Sequence, residues 1–332
     1  MGYNMIITQK AQENKTEEQK KWTERKIKAK NRAEKMRQAG FIARANRMAQ
    51  CGDVLDAQIC QSCGHIHITQ ARLCRDRMCP ICKWRLSMSR FASMMAIVNC
   101  VRAETTAEWD AITLTGKNCK AEKLQDQINE MMSAWNRIMS GKKTKELYQG
   151  WARSLEITYN AKTREFHPHF HCLFVRQEDL ESEKGINYII RRWMATTGFE
   201  TARIAQEGHT IKARGLDTAE DEAIISAVLE TFKYAVKEGK MQDGKDEIAE
   251  MPLKDFRALC EILQNRRLIG LGGIIKYWAK ELQEEEQIEN GGEDTEKDIT
   301  EATDRCTKCG SGNLVAAVAE WSEDHYNWRE II

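Results

Sequence analysis

The sequence predicts an α+β protein in which an antiparallel hairpin is accompanied by amphipathic helices and preceded by a cysteine-rich, zinc-binding module. Three observations carry that expectation. Residues 153–159 and 166–175 alternate like strands on either side of a polar turn, Asn160 to Glu165. Apolar residues recur at helical spacing through Leu124, Ile128, Met131, Met132, Trp135, Ile138 and Met139, and again through Ile225, Val228, Leu229, Phe232 and Val236. Cys60-x2-Cys63 and Cys79-x2-Cys82 stand about 16 residues apart, and each short turn presents two thiolates to one tetrahedral ion.

The chain has 332 residues, enough for one large domain or several smaller ones, and a formal net charge of only +1. The distribution of charge is more informative than its sum. Basic residues dominate from Lys20 to Arg47, whereas Glu284 to Asp304 is acidic with interspersed Gly and Thr. Four segments follow from these shifts: a basic helical arm (1–50), the cysteine-rich zinc-binding module (51–100), a domain holding the hairpin and the amphipathic helices (101–282), and an acidic linker with a Cys-x2-Cys tail (283–332). No stretch approaches the roughly 20 apolar residues of a membrane span, and the N-terminus lacks a signal-peptide apolar core. The expectation is a cytoplasmic protein with no membrane partner. Its twelve cysteines then read as metal ligands and buried thiols in place of a disulfide framework.

Taken in order, Thr16 to Gln50 is Lys, Arg, Ala, Glu and Gln rich, which suits an exposed helix able to track a phosphate backbone, or simply a solvated face. Structural Zn2+ is expected on four of Cys60, Cys63, Cys74, Cys79 and Cys82; which four is open, with Cys51 as a sixth candidate and His65 and His67 as substitutes. Arg72, Arg75, Arg77, Lys83, Arg85 and Arg90 crowd the second knuckle and favour a module that also touches phosphates. Asp110 to Thr115 reads as a strand by its β-branched content, and the stripe from Leu124 to Met139 as a core-facing helix.

The hairpin holds the chemistry. His167, His169 and His171 occupy alternate positions and point to one side of a strand, and folding about the polar turn sets Glu156 opposite His169. Opposed residues share a face with Cβ atoms roughly 5 Å apart, so Glu156, His169 and His171 form a metal site with His167 in reserve. Pro168 lacks a ladder donor and belongs at a strand start or facing an edge. A helix is expected from Ile186 to Ala195, a strand from Thr201 to Lys212 in which His209 is structural, and a helix from Ala219 to Glu238 with Glu230, Tyr234 and Lys237 along one side. Leu253 to Asn265 is another amphipathic helix, and Leu268 to Ile275 a short closing strand or turn. Cys306-x2-Cys309-Gly310 is half of a zinc ribbon with no second pair nearby, left to be completed by a partner chain or by Cys51.

Three blocks in this order resemble the rolling-circle plasmid replication initiators of the HUH (His-hydrophobe-His) endonuclease superfamily: Ile112-Thr-Leu-Thr115, His167-Pro-His-Phe-His171, and Glu230-x3-Tyr234-x2-Lys237. The Cys74-x4-Cys79-Pro-x-Cys82 block is similar to the cysteine-rich region many such initiators carry, and the resemblance spans about Cys51 to Lys280. It implies the HUH endonuclease fold, a central antiparallel β-sheet flanked by helices with the His-x-His strand at its centre, plus the N-terminal zinc-binding module. It also implies Mg2+ or Mn2+ on Glu156, His169 and His171, Tyr234 as the nucleophile that nicks single-stranded origin DNA, and Glu230 activating water in the terminating step; Lys237 or Lys233 stands where it could stabilise the phenolate. Host helicase and polymerase are the implied partners. A single-tyrosine HUH transposase shares this chemistry and is the alternative reading. A zinc hydrolase is disfavoured because Leu173 stands where a carboxylate is commonly found; a non-catalytic zinc DNA-binding regulator is the remaining rival.

Overall fold

The computed structural model describes residues 17–178, 180–198, 213–216, 221–232, 241–242, 245–264, 266–289 and 302–331. It is a mixed helix and sheet protein whose sheets are antiparallel, as the sequence predicts. Its strands in chain order are β1 (Val54–Cys60), β2 (Ile66–Ala71), β3 (Trp109–Thr115), β4 (Tyr148–Asn160), β5 (Glu165–Arg176), β6 (Ala213–Leu216), β7 (Met241–Gln242), β8 (Lys245–Asp246), β9 (Ile269–Gly272), β10 (Leu314–Ser322) and β11 (His325–Glu330).

Two compact units divide the chain. One draws on Met1–Arg85, Gly239–Glu250 and Asp294–Ile332; the other on Leu86–Glu238 and Met251–Glu293. This grouping departs from four sequential segments, because the arm, the cysteine-rich module and the tail share one unit. The reason is strand pairing: β10 lies against β1 from Val54↔Glu320 to Cys60↔Leu314, giving a sheet of order β11-β10-β1-β2. Residues 285–289, placed in the acidic linker by composition, form a short helix in which Ile288 and Glu289 are buried.

The arm is corrected more sharply. Glu17–Gln38 is a helix, but Trp22, Lys26, Ala29, Arg32, Ala33 and Met36 form a buried stripe, so this face does not track phosphates. Lys26 Nζ donates to Asp53 at 2.5 Å and to the carbonyls of Ala49 and Cys51 at 2.8 Å. Arg32 Nε donates to Asp246 at 2.5 Å and Arg32 Nη1 to the Met78 carbonyl at 2.9 Å. Charged residues at helix-stripe positions are solvated by default; here each finds a buried acceptor, which removes the desolvation penalty of burying it alone.

The second unit is built on a five-stranded sheet of order β6-β3-β5-β4-β9, with the histidine strand β5 in the middle. The hairpin register matches the sequence expectation residue for residue: Glu156 faces His169, and Asn160 faces Glu165 around the turn. Pro168 sits in β5 one residue before pairing with β3 begins at Thr115↔His169, so β3 makes no demand on its missing donor, and its carbonyl accepts from the Gly116 N–H at 2.8 Å. One face of the sheet is covered by the helices Ala121–Ser140, Ser182–Thr197 and Leu253–Gln264. Trp135 packs edge-on to Phe170 at 5.9 Å, and Trp193 meets the same ring at 5.7 Å while donating its indole N–H to the Thr115 carbonyl.

The other face carries an apolar half and a polar half. The apolar half joins Trp109, Ala152, Leu173 and Val175 of the strands to Ile97 and Val101 of the helix Pro80–Glu104, and to Ile224, Ala227, Val228 and Phe232 of the helix Asp221–Phe232. That last helix is rotated from the expected stripe: Ile225 and Leu229 are 36% and 45% exposed. Two overlapping stripes exist at 3.6-residue spacing, and the sheet takes the one containing Ile224 and Ala227. The expected strand Thr201–Lys212, His209, and the end of the expected helix beyond Phe232 lie outside the described residues.

Candidate functional site

Alternation along the strands decides which side chains share the polar half-face. Ser154 and Glu156 of β4, His169 and His171 of β5, and Thr113 and Thr115 of β3 occupy paired positions. Glu156 Oε2 lies 3.1 Å from His169 Nε2 and 2.7 Å from His171 Nε2, and all three side chains are nearly buried. Burial alone pushes the Glu156 carboxyl up, but hydrogen bonds and charge from the two imidazoles outweigh it and hold the group well below the ordinary carboxylate range. The far nitrogens are occupied too. His169 Nδ1 is 3.2 Å from the His167 carbonyl, and His171 Nδ1 is 3.4 Å from Thr113 Oγ1. These contacts leave both Nε2 atoms turned toward the carboxylate.

Two imidazoles and one carboxylate, with ligand atoms all within 4.8 Å of one another, are a donor set that suits a divalent ion, and the outer contacts on Nδ1 are of the type that orients metal-bound histidines. His167 is not in the group: its Nδ1 pairs with Asn118 Oδ1 at 2.7 Å. Thr113 escaped the sequence reading as a site-orienting residue; it sits within the Ile112–Thr115 block, and the alternation of β3 is the signal that could have found it.

The helix Asp221–Phe232 lies over this face, tied down by the Ser154 hydroxyl, which donates to the Thr231 carbonyl from within β4. Its Glu230 comes within 3.7 Å of His171 Nδ1, at the edge of the triad, while remaining half exposed to solvent. Glu230 is thus brought to the face that carries Glu156, His169 and His171. Tyr234 and Lys237 lie outside the described residues. A cavity of about 640 Å³ lined by Trp135, Trp151, Arg153, Arg266 and Arg267 opens on the opposite face of the sheet and includes none of these groups.

The cysteines do not form the single site the two knuckles suggested. Cys60 and Cys63 are parted from Cys79 and Cys82, and two quartets result: Cys51, Cys74, Cys79 and Cys82 in one, Cys60, Cys63, Cys306 and Cys309 in the other. In the first, Sγ–Sγ separations are 3.5 Å for Cys51–Cys82 and Cys51–Cys79, and 3.6 Å for Cys74–Cys82. A tetrahedron with Zn–S bonds of about 2.3 Å has edges of about 3.8 Å, close to these values, whereas a disulfide requires about 2.05 Å. Backbone N–H groups of Cys74 and Arg75 donate to Cys51 and Cys82 sulfurs at 3.4 and 3.2 Å. Cys82 lies in the first turn of the helix Pro80–Glu104, which Pro80 opens in the position that needs no donor. Sequence proximity selected the wrong partners: the first quartet takes Cys51 from upstream of β1, and no spacing rule links it to Cys74.

The model of the family described as "Replication protein" matches residues 65–327. Curated relatives called "Protein rep" include one from Bacillus amyloliquefaciens, 32% identical over 251 residues, covering 72% of this chain and 73% of the relative. Another from a Bacillus species is 32% identical over 254 residues, covering 73% and 81%. A third, from Streptococcus pneumoniae serotype 2, is 26% identical over 321 residues and covers 94% of this chain and 93% of its own. No solved structure matches.

Proposed function

The chain belongs to the Replication protein family and is a plasmid replication initiator, and from that membership we propose that it starts rolling-circle synthesis by nicking single-stranded origin DNA through Tyr234. The observation that carries the proposal is the convergence of Glu156, His169 and His171 on one face of the sheet with Glu230 at its edge. A divalent ion, Mg2+ or Mn2+, bound by the three side chains would supply Lewis-acid stabilisation of charge on the scissile phosphate. The chain's own residues do the rest. Glu156 stays ionised because the two imidazoles outweigh its burial, and Thr113 with the His167 carbonyl fixes the ring orientations.

Tyr234 follows the last described residue of the Glu230 helix by two positions. Its phenolate attacks the phosphorus, the bond from phosphorus to the 3′ oxygen breaks, and the phenol proton is lost as the 3′ oxygen gains one. The products are a 5′-phosphotyrosine and a 3′-hydroxyl that host polymerase extends as host helicase opens the duplex. Free tyrosine has a pKa near 10, so Lys237 is assigned to favour the phenolate. Glu230, half exposed and beside His171, is assigned to deprotonate the water that frees the protein in the terminating step. The cysteine quartet of Cys51, Cys74, Cys79 and Cys82 would hold a structural zinc, its four sulfurs having the spacing of a tetrahedral site.

The test is incubation with labelled single-stranded origin DNA and Mn2+. A covalent adduct is expected with the unmodified chain and none with Tyr234→Phe. No adduct at all, or an adduct that persists in Tyr234→Phe, would overturn the assignment.

A further inference from the structure

We propose that Cys60, Cys63, Cys306 and Cys309 form a second, independent structural zinc site, a two-knuckle ribbon that clips the C-terminal hairpin onto the N-terminal sheet and yields its metal before the first quartet does. The proposal goes beyond the nicking chemistry and does not depend on it.

The two knuckles are built alike. In the first, the Cys60 N–H donates to the carbonyl five residues on, His65, at 2.9 Å, and the Gly64 N–H returns to the Cys60 carbonyl at 2.8 Å. In the second, the Cys306 N–H donates to Ser311, again five residues on, at 2.8 Å, and the Gly310 N–H returns to the Cys306 carbonyl at 2.8 Å. Each second cysteine is followed by a glycine in the left-handed region, Gly64 at φ 69° and Gly310 at φ 72°, where a side chain is strained. Both segments thus fold into the same tight turn, with two sulfurs presented on one side.

The turns then face each other. Cys60 Sγ is 3.6 Å from Cys309 Sγ, and Cys63 Sγ is 3.6 Å from Cys306 Sγ, near the tetrahedral edge of about 3.8 Å that Zn–S bonds of about 2.3 Å impose. Ser62 and Ser311 hydroxyls meet at 2.8 Å, and the Gln61 N–H donates to the Asn313 carbonyl at 3.0 Å, so the approach is held by more than the sulfurs. The first knuckle is the turn between β1 and β2, and the second leads directly into β10, which pairs with β1. Four thiols gathered without a disulfide have one common use at this geometry, which is a soft, tetrahedral ion. Binding deprotonates the thiols and releases the protons to solvent.

Cys63 and Cys306 are 243 positions apart, and closing so long a loop is where a covalent or metal cross-link restrains the unfolded chain most. The clip therefore sets how firmly the tail hairpin is held. It is also the more accessible quartet: Cys63 and Cys309 are exposed, whereas the first quartet has three buried members and one half-buried.

The test counts zinc by elemental analysis in a His169→Ala/His171→Ala chain, which removes the imidazole site from the count and separates this proposal from the nicking one. Two zinc ions per chain are expected, falling to one in the same chain carrying Cys306→Ser/Cys309→Ser. Chelator challenge followed with a zinc dye should release one equivalent fast and one slowly, and the serine variant should lose only the fast phase while trypsin cuts faster at Arg305 and Lys308. One zinc or none before the serine changes, or a fast phase that survives them, overturns the proposal. The count on the chain with all its cysteines decides the matter even if the serine variant fails to fold.

Discussion

At the scale of single residues the site is a balance between burial and pairing. Glu156 is 4% exposed, and a carboxylate so placed stays ionised only because His169 and His171 both reach its Oε2. Glu156→Gln keeps the shape and removes the charge, so calorimetric titration with Mn2+ should show affinity falling by at least about tenfold, with His169→Ala and His171→Ala behaving alike. Unchanged binding in all three would remove the metal from these residues. Glu230 stands apart, outside the triad and open to water. Glu230→Ala should still form the covalent adduct yet release it more slowly, by about 10²-fold or more for loss of a general base. Normal release after one round in that variant would leave Glu230 as no more than a neighbour of His171. This site was largely legible in the sequence because a period of two is rigid: once the turn was placed, Glu156 and His169 had to face each other. Thr113 was harder to see, since its role depends on a neighbouring strand that the hairpin does not specify.

At the scale of elements, two helices and one strand junction show how context overrides pattern. The Glu17–Gln38 helix looks like a phosphate-binding arm in composition and is a packed element in fact. Arg32→Ala should therefore act through stability: it leaves Asp246 buried without its partner, a loss of about 3–5 kcal/mol visible in the unfolding midpoint. A variant that kept its melting temperature and lost only salt-dependent DNA affinity would restore the arm reading. The Asp221–Phe232 helix turns Ile224 to the sheet and leaves Ile225 outside, because the core takes the stripe Ile224, Ala227, Val228 and Phe232, and the Ser154 hydroxyl bonds the Thr231 carbonyl on that side. Where β9 gives way to the helix Gly273–Glu281, Gly273 has φ 60°, and a Cβ there would lie 1.9 Å from the Gln149 carbonyl oxygen. Gly273→Ala should cost at least about 2 kcal/mol through strain and displacement of β4, read by denaturant titration. Wild-type stability would show that this junction moves freely.

At the scale of the whole molecule, the candidate metal sites fall in different units: the Glu156, His169 and His171 triad in one, both cysteine quartets in the other. Removing zinc should lower or split the unfolding transition seen by calorimetry, and His169→Ala/His171→Ala should leave the zinc-dependent part in place; a transition unaffected by chelation would deny the quartets a structural role. No helix among the described residues is long and apolar enough to cross a membrane. The sequence by itself determined what is local. Strand alternation, helical stripes and the polar turn each depend on residues within about a dozen positions of one another and were enough for the mixed antiparallel fold and the hairpin register, while the order of three motif blocks carried the family and, through it, the central histidine strand. Tertiary structure decided what is distant. Cys60 could have joined Cys79 or Cys306 on spacing alone, and the choice rests on β10 pairing with β1 across most of the chain. Lys26 and Arg32 are solvent-facing by composition until Asp53 and Asp246 arrive to bury them. Thiolates and charges accept whichever partners geometry brings within reach, and that geometry is a property of the folded chain.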